Sequence, residues 1–221
     1  MQGKVIFISG IDTDVGKTVA TGMLAKKLML QGFSVITQKM IQTGCRDISE
    51  DILLHRKIQG IELTEEDHQG ITCPYLFSYP CSPHLAAKLE NVQILPEKIQ
   101  KSTALLSEKY DYVLIEGAGG LMVPYYRYDT TMDYLAARGY PLVLVCSGKL
   151  GSINHSLLSL EVCKQRNIRL QTLIYNQYPD EDKLIAGETR AYLQDYLALH
   201  FPQASFEVMP PYAFTTESRS S

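Results

Sequence analysis

The sequence contains no apolar run close to the roughly 20 residues that a membrane-spanning helix needs. Its opening, "MQGKVIFISG", carries one lysine and a short apolar stretch that stops at Gly10 and Asp12. No small-residue cleavage site follows, so a buried strand is expected here and not a secretory leader. Cysteine is sparse and unpaired in pattern. The five residues Cys45, Cys73, Cys81, Cys146 and Cys163 form no C-x-x-C pair. An odd, unpaired set fits a reducing compartment, and a cytoplasmic location is expected. Cys146 lies inside an apolar run and reads as a buried free thiol. Charge of either sign is not in excess. The formal net charge of -3 gives no general pull toward nucleic acid or acidic membranes, and neither is expected as a partner. Internal repeats are also missing. What remains is an ordinary globular composition, 45% hydrophobic and 20% charged, over 221 residues, which fits one domain, or at most two small ones, with a substantial core.

The apolar pattern alternates between short continuous runs and stretches with helical spacing. Short, β-branched runs at 4–10, 33–39, 110–117, 141–147 and 169–176 read as buried strands. Helical spacing is expected at 16–32, where Val19, Met23, Leu24, Leu28 and Leu30 recur before Gly32, and at about 95–109, 152–166 and 183–200. Strands alternating with helices predict an α/β fold with a mostly parallel sheet and helices on both faces. Ligands then gather at the carboxyl ends of the strands. Residues 60–94 look irregular; a separate domain is one reading, and a long functional connection near the site is the preferred one. The tail "TTESRSS" is polar.

The first strand runs into "SGIDTDVGKT" (9–18). A phosphate loop has the form G-x-x-x-x-G-K-[ST], and Gly16, Lys17 and Thr18 satisfy its end. The first glycine falls one place early, at Gly10, with Ile11 in its expected position. Strand, G-K-T and helix are nevertheless in register, so backbone N–H groups and the helix start should attract phosphate oxygens. Lys17 would reach the outer phosphates and the Thr18 hydroxyl would face Mg2+. Glu116 ends the run "YVLIEGAGG" (112–120), where it is either an oxygen ligand for Mg2+ or a solvated strand-end acid; beside such a loop the metal reading is preferred. Lys39, at the end of the second strand, is a site lysine or a solvated one. Asp51 in "SEDILL" is a metal ligand or a helix-start acid. Lys149 precedes a helix start that could receive an anion. Asn176 ends the fifth strand, where its amide could read a base edge or form a turn. His155, a single histidine on a helix, is given no role. A dinucleotide fingerprint fails, because G-x-G-x-x-G would need glycine at Met122.

Four segments in order, "GIDTDVGKT", "QKMIQTG", "EGAGGLMVP" and "KLGSINHSLL", resemble the dethiobiotin synthetase family from residue 4 to about 176. That family's phosphate loop has the same offset spacing. The resemblance implies a single domain over 1–221 with a P-loop NTPase fold, acting as an ATP-dependent ligase with Mg2+ on 7,8-diaminopelargonate and CO2. It also implies a homodimer with sites at the interface. Position by position, it assigns Lys39 and Lys17 to catalysis and Thr18, Asp51 and Glu116 to Mg2+. Nucleotide would meet Asp14, Val15, Gly16, Lys17, Thr18, Val19, Asp51, Glu116, Gly117, Ala118 and Gly119. Asn176, Gln177, Pro210, Pro211, Tyr212 and Glu217 would hold its base and ribose. The diamine or carbamate would meet Thr13, Thr43, Lys149, Gly151, Ser152, Ile153 and Asn154, the last four as a carboxylate seat serving the neighbouring subunit.

The pattern departs from the family at Ile11, Met40, Gln42 and Thr43. The tyrosine that the family supplies from its second subunit has no clear match, and "AGETR" places Thr189 there. Two rival classes of the same fold lack their marks. A partition-type ATPase switch would need lysine at Asp12, and a GTPase would need N-K-x-D where "YNQYP" stands. An amidotransferase of this fold would need a glutaminase domain, for which the length leaves little room.

Overall fold

The computed structural model describes residues 2–178 and 182–212. Along the chain the elements are β1 (Lys4–Gly10), α1 (Lys17–Leu30), β2 (Val35–Lys39), β3 (Gln42–Thr43), α2 (Glu50–Gln59) and α3 (Glu65–His68). There follow β4 (Leu76–Phe77), α4 (Pro83–Leu89), α5 (Pro96–Lys109), β5 (Tyr112–Gly120), β6 (Pro124–Tyr126) and β7 (Asp129–Thr130). The remainder are α6 (Thr131–Arg138), β8 (Leu142–Ser147), α7 (Ser152–Gln165), β9 (Leu170–Asn176), α8 (Lys183–His200) and β10 (Ser205–Met209).

The main sheet has six strands in the order β10-β9-β8-β1-β5-β2, and every pairing within it is parallel. Side chains alternate across it with the period of a strand. Ile6, Ile8, Val143 and Val145 point to one face, where they pack with Ala20 and Ala25 of α1. Phe7, Leu142, Leu144 and Cys146 point to the other, against Leu106 of α5, Leu135 of α6, Leu160 of α7 and Leu193 of α8. Both faces are thus covered, which is why the strand sequences read as continuous apolar runs. Burial pushes the Cys146 and Cys163 thiols up to about 12, as expected of inert core cysteines.

The expected strands and helices are all present, with boundaries moved by at most three residues. Leu30 breaks the expected helical face: it is exposed at the end of α1. The stretch 60–94 is more regular than its sequence suggests. It holds α3, β4 and α4, and β4 pairs in parallel with β3. These pieces are too short to show a period. β10, an edge strand of mixed exposure, carries no continuous apolar run that would mark it in the sequence.

The topology sets the site. β1, β2, β5, β9 and β10 end on the same edge of the sheet, and the register pairs Lys39 directly with Glu116 and Asn176 with Met209.

Candidate functional site

The loop between β1 and α1 accounts for its own odd spacing. Ile11 N donates to Val145 O at 3.0 Å, so residue 11 still follows the sheet. The tight turn therefore begins at Gly10, where an added Cβ would lie 2.4 Å from Val15 Cγ1. Gly16 has φ 96°, and a Cβ there would lie 2.5 Å from the Asn176 amide. α1 then starts with no side-chain cap and no acid in its first turn. Its first N–H groups are left for an anion. Lys17 is buried, and its ammonium donates to Asp12 O at 2.7 Å. Burial first, and the Lys39 charge second, lower its pKa to about 8.

Behind the loop lies a compact charge cluster. Lys39 Nζ donates to Glu116 Oε1 at 2.8 Å and to Gly117 O at 3.2 Å, and pairs with Asp51 Oδ2. Thr18 Oγ1 lies 3.0 Å from Asp51 Oδ1 and 3.1 Å from Glu116 Oε1. On its far side Glu116 meets His55, whose Nε2 is 2.8 Å from Oε2. Burial would raise the Glu116 pKa, but Lys39 and then His55 outweigh it and hold the carboxyl well below its usual range. Burial would likewise lower the Lys39 pKa, yet Glu116 and Asp51 together shift it upward. Lys39 is a fixed cation and Glu116 a fixed anion.

Asp51 is the helix-start acid its sequence allowed. It sits in the first turn of α2, which is capped by Ser49. It also reaches Thr18 and Lys39. The oxygens of Thr18, Asp51 and Glu116 form a donor set suited to a hard cation held by one or two carboxylates plus phosphate oxygens. The Lys39 ammonium already sits between the two carboxylates, which shows that the pair accepts positive charge.

These residues line a cavity of about 900 Å³ together with Thr13, Asp14, Gly16, Val19, Thr43, Ala118, Gly119, Asn176 and Tyr212. The expected residues therefore converge from six separate segments. Val15 is turned into the core against α1, and Gly117 contributes its carbonyl to Lys39. Asn176 uses its amide on Val15 O at 3.0 Å, and its Oδ1 accepts from Tyr178 N at 3.0 Å, so it ties the loop to β9. Gln177, Pro210 and Pro211 are exposed and do not line the cavity, although their neighbours Asn176, Tyr178, Met209 and Tyr212 do. Glu217 lies outside the described residues.

The helix start at 151–154 lies elsewhere. Lys149, Gly151 and Ser152 line a separate cavity of about 100 Å³ on the other side of the loop, which shares only Thr13 and Asp14 with the large one. Ser152 Oγ lies 3.0 Å from Ser147 Oγ, while Ile153 is half-buried and Asn154 exposed. Thr189 is a correction: at 3% exposure it is buried inside α8's packing face and offers nothing to a neighbour.

Sequence reasoning missed Gln42, which lines the large cavity beside the Pro80–Pro83 turn of the 60–94 connection expected near the site. It also missed His55. The one signal for His55 was its place four residues after Asp51, hence on the same side of a helix.

Comparison with known proteins agrees with this geometry. The AAA domain family matches residues 4–201. The ATP-dependent dethiobiotin synthetase BioD 2 of Haemophilus ducreyi is 65% identical over 208 residues, covering 94% of this chain and 99% of that protein. The enzyme of the same name from Haemophilus influenzae is 68% identical over 190 residues, 86% of this chain and all (100%) of its own. Among solved structures, the MinC:MinD cell division complex of Aquifex aeolicus superposes with a TM-score of 0.56 at 18% identity, over 95% of this chain and 82% of that one. This last likeness establishes the P-loop NTPase fold alone. With its offset phosphate loop, its Lys39–Glu116 pair and relatives matched along nearly their whole length, the chain belongs to the family of ATP-dependent dethiobiotin synthetases.

Proposed function

We propose that residues 1–221 act as one ligase domain that closes the ureido ring of dethiobiotin from 7,8-diaminopelargonate, CO2 and ATP. One observation carries the assignment of roles: Lys39, a buried cation tied to two carboxylates, faces the same cavity as Lys17 and the α1 start. In the reading adopted, one substrate amine adds to CO2 and loses a proton, giving a carbamate. A carbamate oxygen then attacks the γ-phosphorus and ADP leaves. The second amine attacks the carbonyl carbon of the mixed anhydride, loses a proton and expels phosphate as the ring closes.

Two anionic groups must approach each other in the phosphoryl step, so positioned positive charge supplies most of the help. Lys17 and the open N–H groups of α1 bind the phosphates. Lys39 lies between phosphate and carbamate. Thr13 and Thr43 orient the diamine, and Asn176 with Tyr212 borders the base. Thr18, Asp51 and Glu116 would hold Mg2+, which neutralises phosphate charge when bound.

The carboxylate of the diamine is assigned to the α7 start of a second protomer. In support, Gly151 caps that helix without a side chain, and Leu150 beside it is 85% exposed. A homodimer is the assembly this reading requires. A cytoplasmic setting is in keeping with five free thiols, and among the described residues no helix is long and apolar enough to cross a membrane.

The test is incorporation of isotopic carbon from bicarbonate into dethiobiotin by the purified protein, with ATP and diaminopelargonate. ATP hydrolysis that is indifferent to both the diamine and bicarbonate would sink the proposal. Light scattering in solution tests the dimer separately.

A further inference from the structure

His55 belongs to no motif, yet α2 carries it into the middle of the charge cluster. Its ring is fully buried, and so is Glu116. A carboxylate only accepts, so His55 Nε2 carries the proton of their 2.8 Å hydrogen bond. The two oxygens of Glu116 therefore have different neighbours. Oε1 receives Lys39 Nζ at 2.8 Å and lies 3.1 Å from Thr18 Oγ1. Oε2 receives His55, the one hydrogen bond to that oxygen among the described residues.

This division has a mechanical consequence. The last torsion of a glutamate is broad, so a carboxylate gripped through one oxygen is free to rock about it. A second bond, to the other oxygen, fixes its plane. The anchor of that second bond is itself firm. His55 lies one turn beyond Asp51 on α2, whose start is capped by Ser49. The Ser49 hydroxyl in turn donates to Gln42 Oε1 at 2.7 Å, tying α2 to β3 at the cavity wall. A side chain present only to fill space would be better as leucine, because His55 Nδ1 is buried with no hydrogen-bond partner.

We propose that His55 is a positioning residue. It fixes the Glu116 carboxylate so that Oε1 is presented to Lys39, to Thr18 and to the divalent cation of the nucleotide complex. The inference rests on the reading of Glu116 as a cation-holding group. Groups that orient a metal-binding side chain commonly change metal affinity 10–100-fold when lost, roughly.

The deciding comparison is His55→Gln against His55→Met. The two replacements have nearly the same shape, but only glutamine can donate to Oε2. The readout is Mn2+ affinity in the presence of a non-hydrolysable ATP analogue, followed by electron paramagnetic resonance. Thermal unfolding reports whether each variant is folded. His55→Met is expected to weaken Mn2+ at least about tenfold, and His55→Gln to recover most of that loss, with metal-free nucleotide affinity moving less than about twofold in both. Equal affinities in the two variants, whether both weakened or both native, overturn the proposal. Glu116→Gln run in parallel separates the two levels. If it leaves Mn2+ affinity unchanged, the cation role of Glu116 fails and the His55 role falls with it. If it weakens Mn2+ while folded His55→Met does not, only the His55 role fails. Should His55→Met not fold, the wild-type protein gives the answer by NMR. The Nε2–H resonance of His55 must then shift when Mg2+ is added to the nucleotide-analogue complex, and an unmoved resonance refutes the proposal.

Discussion

Two buried charge clusters hang from consecutive residues of α2. His55 reaches Glu116, which is joined in turn to Lys39, Thr18 and Asp51, while Arg56 reaches Asp67, Thr37 and Gln59. Both are deep in the molecule. They differ in how completely they are satisfied. Arg56 donates through Nε and Nη2 to both oxygens of Asp67 at 2.8 Å, and through Nη1 to Thr37 and Gln59 at 2.7 Å. Asp67 also accepts from Thr72 and from the Thr64 backbone, the latter bond closing the cap of α3. Every group has a partner, and none of them lines the large cavity. In the His55 cluster the Thr18 hydroxyl faces two carboxylates with one proton to give, His55 Nδ1 has no partner, and Lys17, Lys39 and Asp51 border the cavity. Burial of charge therefore does not separate the two clusters; what separates them is that side chains of the first line the cavity and keep bonding capacity open there.

The contrast can be broken by substitutions on either side. The largest effect expected is on stability. Arg56→Leu strands a buried carboxylate, which costs about 3–5 kcal/mol, read as a lowered denaturant midpoint. Turnover per folded molecule should stay within about threefold; a catalytic loss with native stability would mean that the clusters are not separate in function.

Next comes the opposite case. Lys39→Gln should lower turnover about 10²–10³-fold, roughly 2.7–4 kcal/mol of barrier, with a much smaller change in ATP affinity. Single-turnover kinetics and calorimetric titration check this. Lost ATP affinity with unimpaired turnover would recast Lys39 as a nucleotide-binding residue.

A smaller change is expected from Asp51→Asn, which replaces an anionic oxygen by a neutral one. The Mg2+ concentration for half-maximal activity should rise about tenfold, or ~1.4 kcal/mol. An unaltered Mg2+ titration would remove Asp51 from the metal set.

The smallest effect concerns acid. Burial pushes the Asp67 pKa up, but Arg56 outweighs it and the net shift is downward. A carboxyl with a depressed folded pKa contributes stability that is fully present above its unfolded value of about 4 and is lost as pH falls below that. Asp67→Asn should therefore flatten part of the fall in melting temperature on acidification. Parallel acid profiles for variant and wild type would show that Asp67 is not a source of that dependence.

Much of this protein was written locally. The continuous apolar runs and the period-3.6 stretches specified the parallel sheet and its helices, because a strand covered on both faces is apolar throughout and a helix buries one face. G-K-T after a strand specified the loop, since the chain direction at a strand end and a helix start leaves N–H groups pointing outward. Lys39 and Glu116 were visible as charged residues ending apolar runs. Their partnership was not, for it depends on β2 lying beside β5 in one register, 77 residues apart in the chain. His55 and Arg56 show the limit most plainly. Neighbours in sequence, they face about 100° apart on a helix, and so meet different surroundings. Only the packing of α2 against the sheet decided which of them would hold a carboxylate at the cavity and which would be sealed in a closed network.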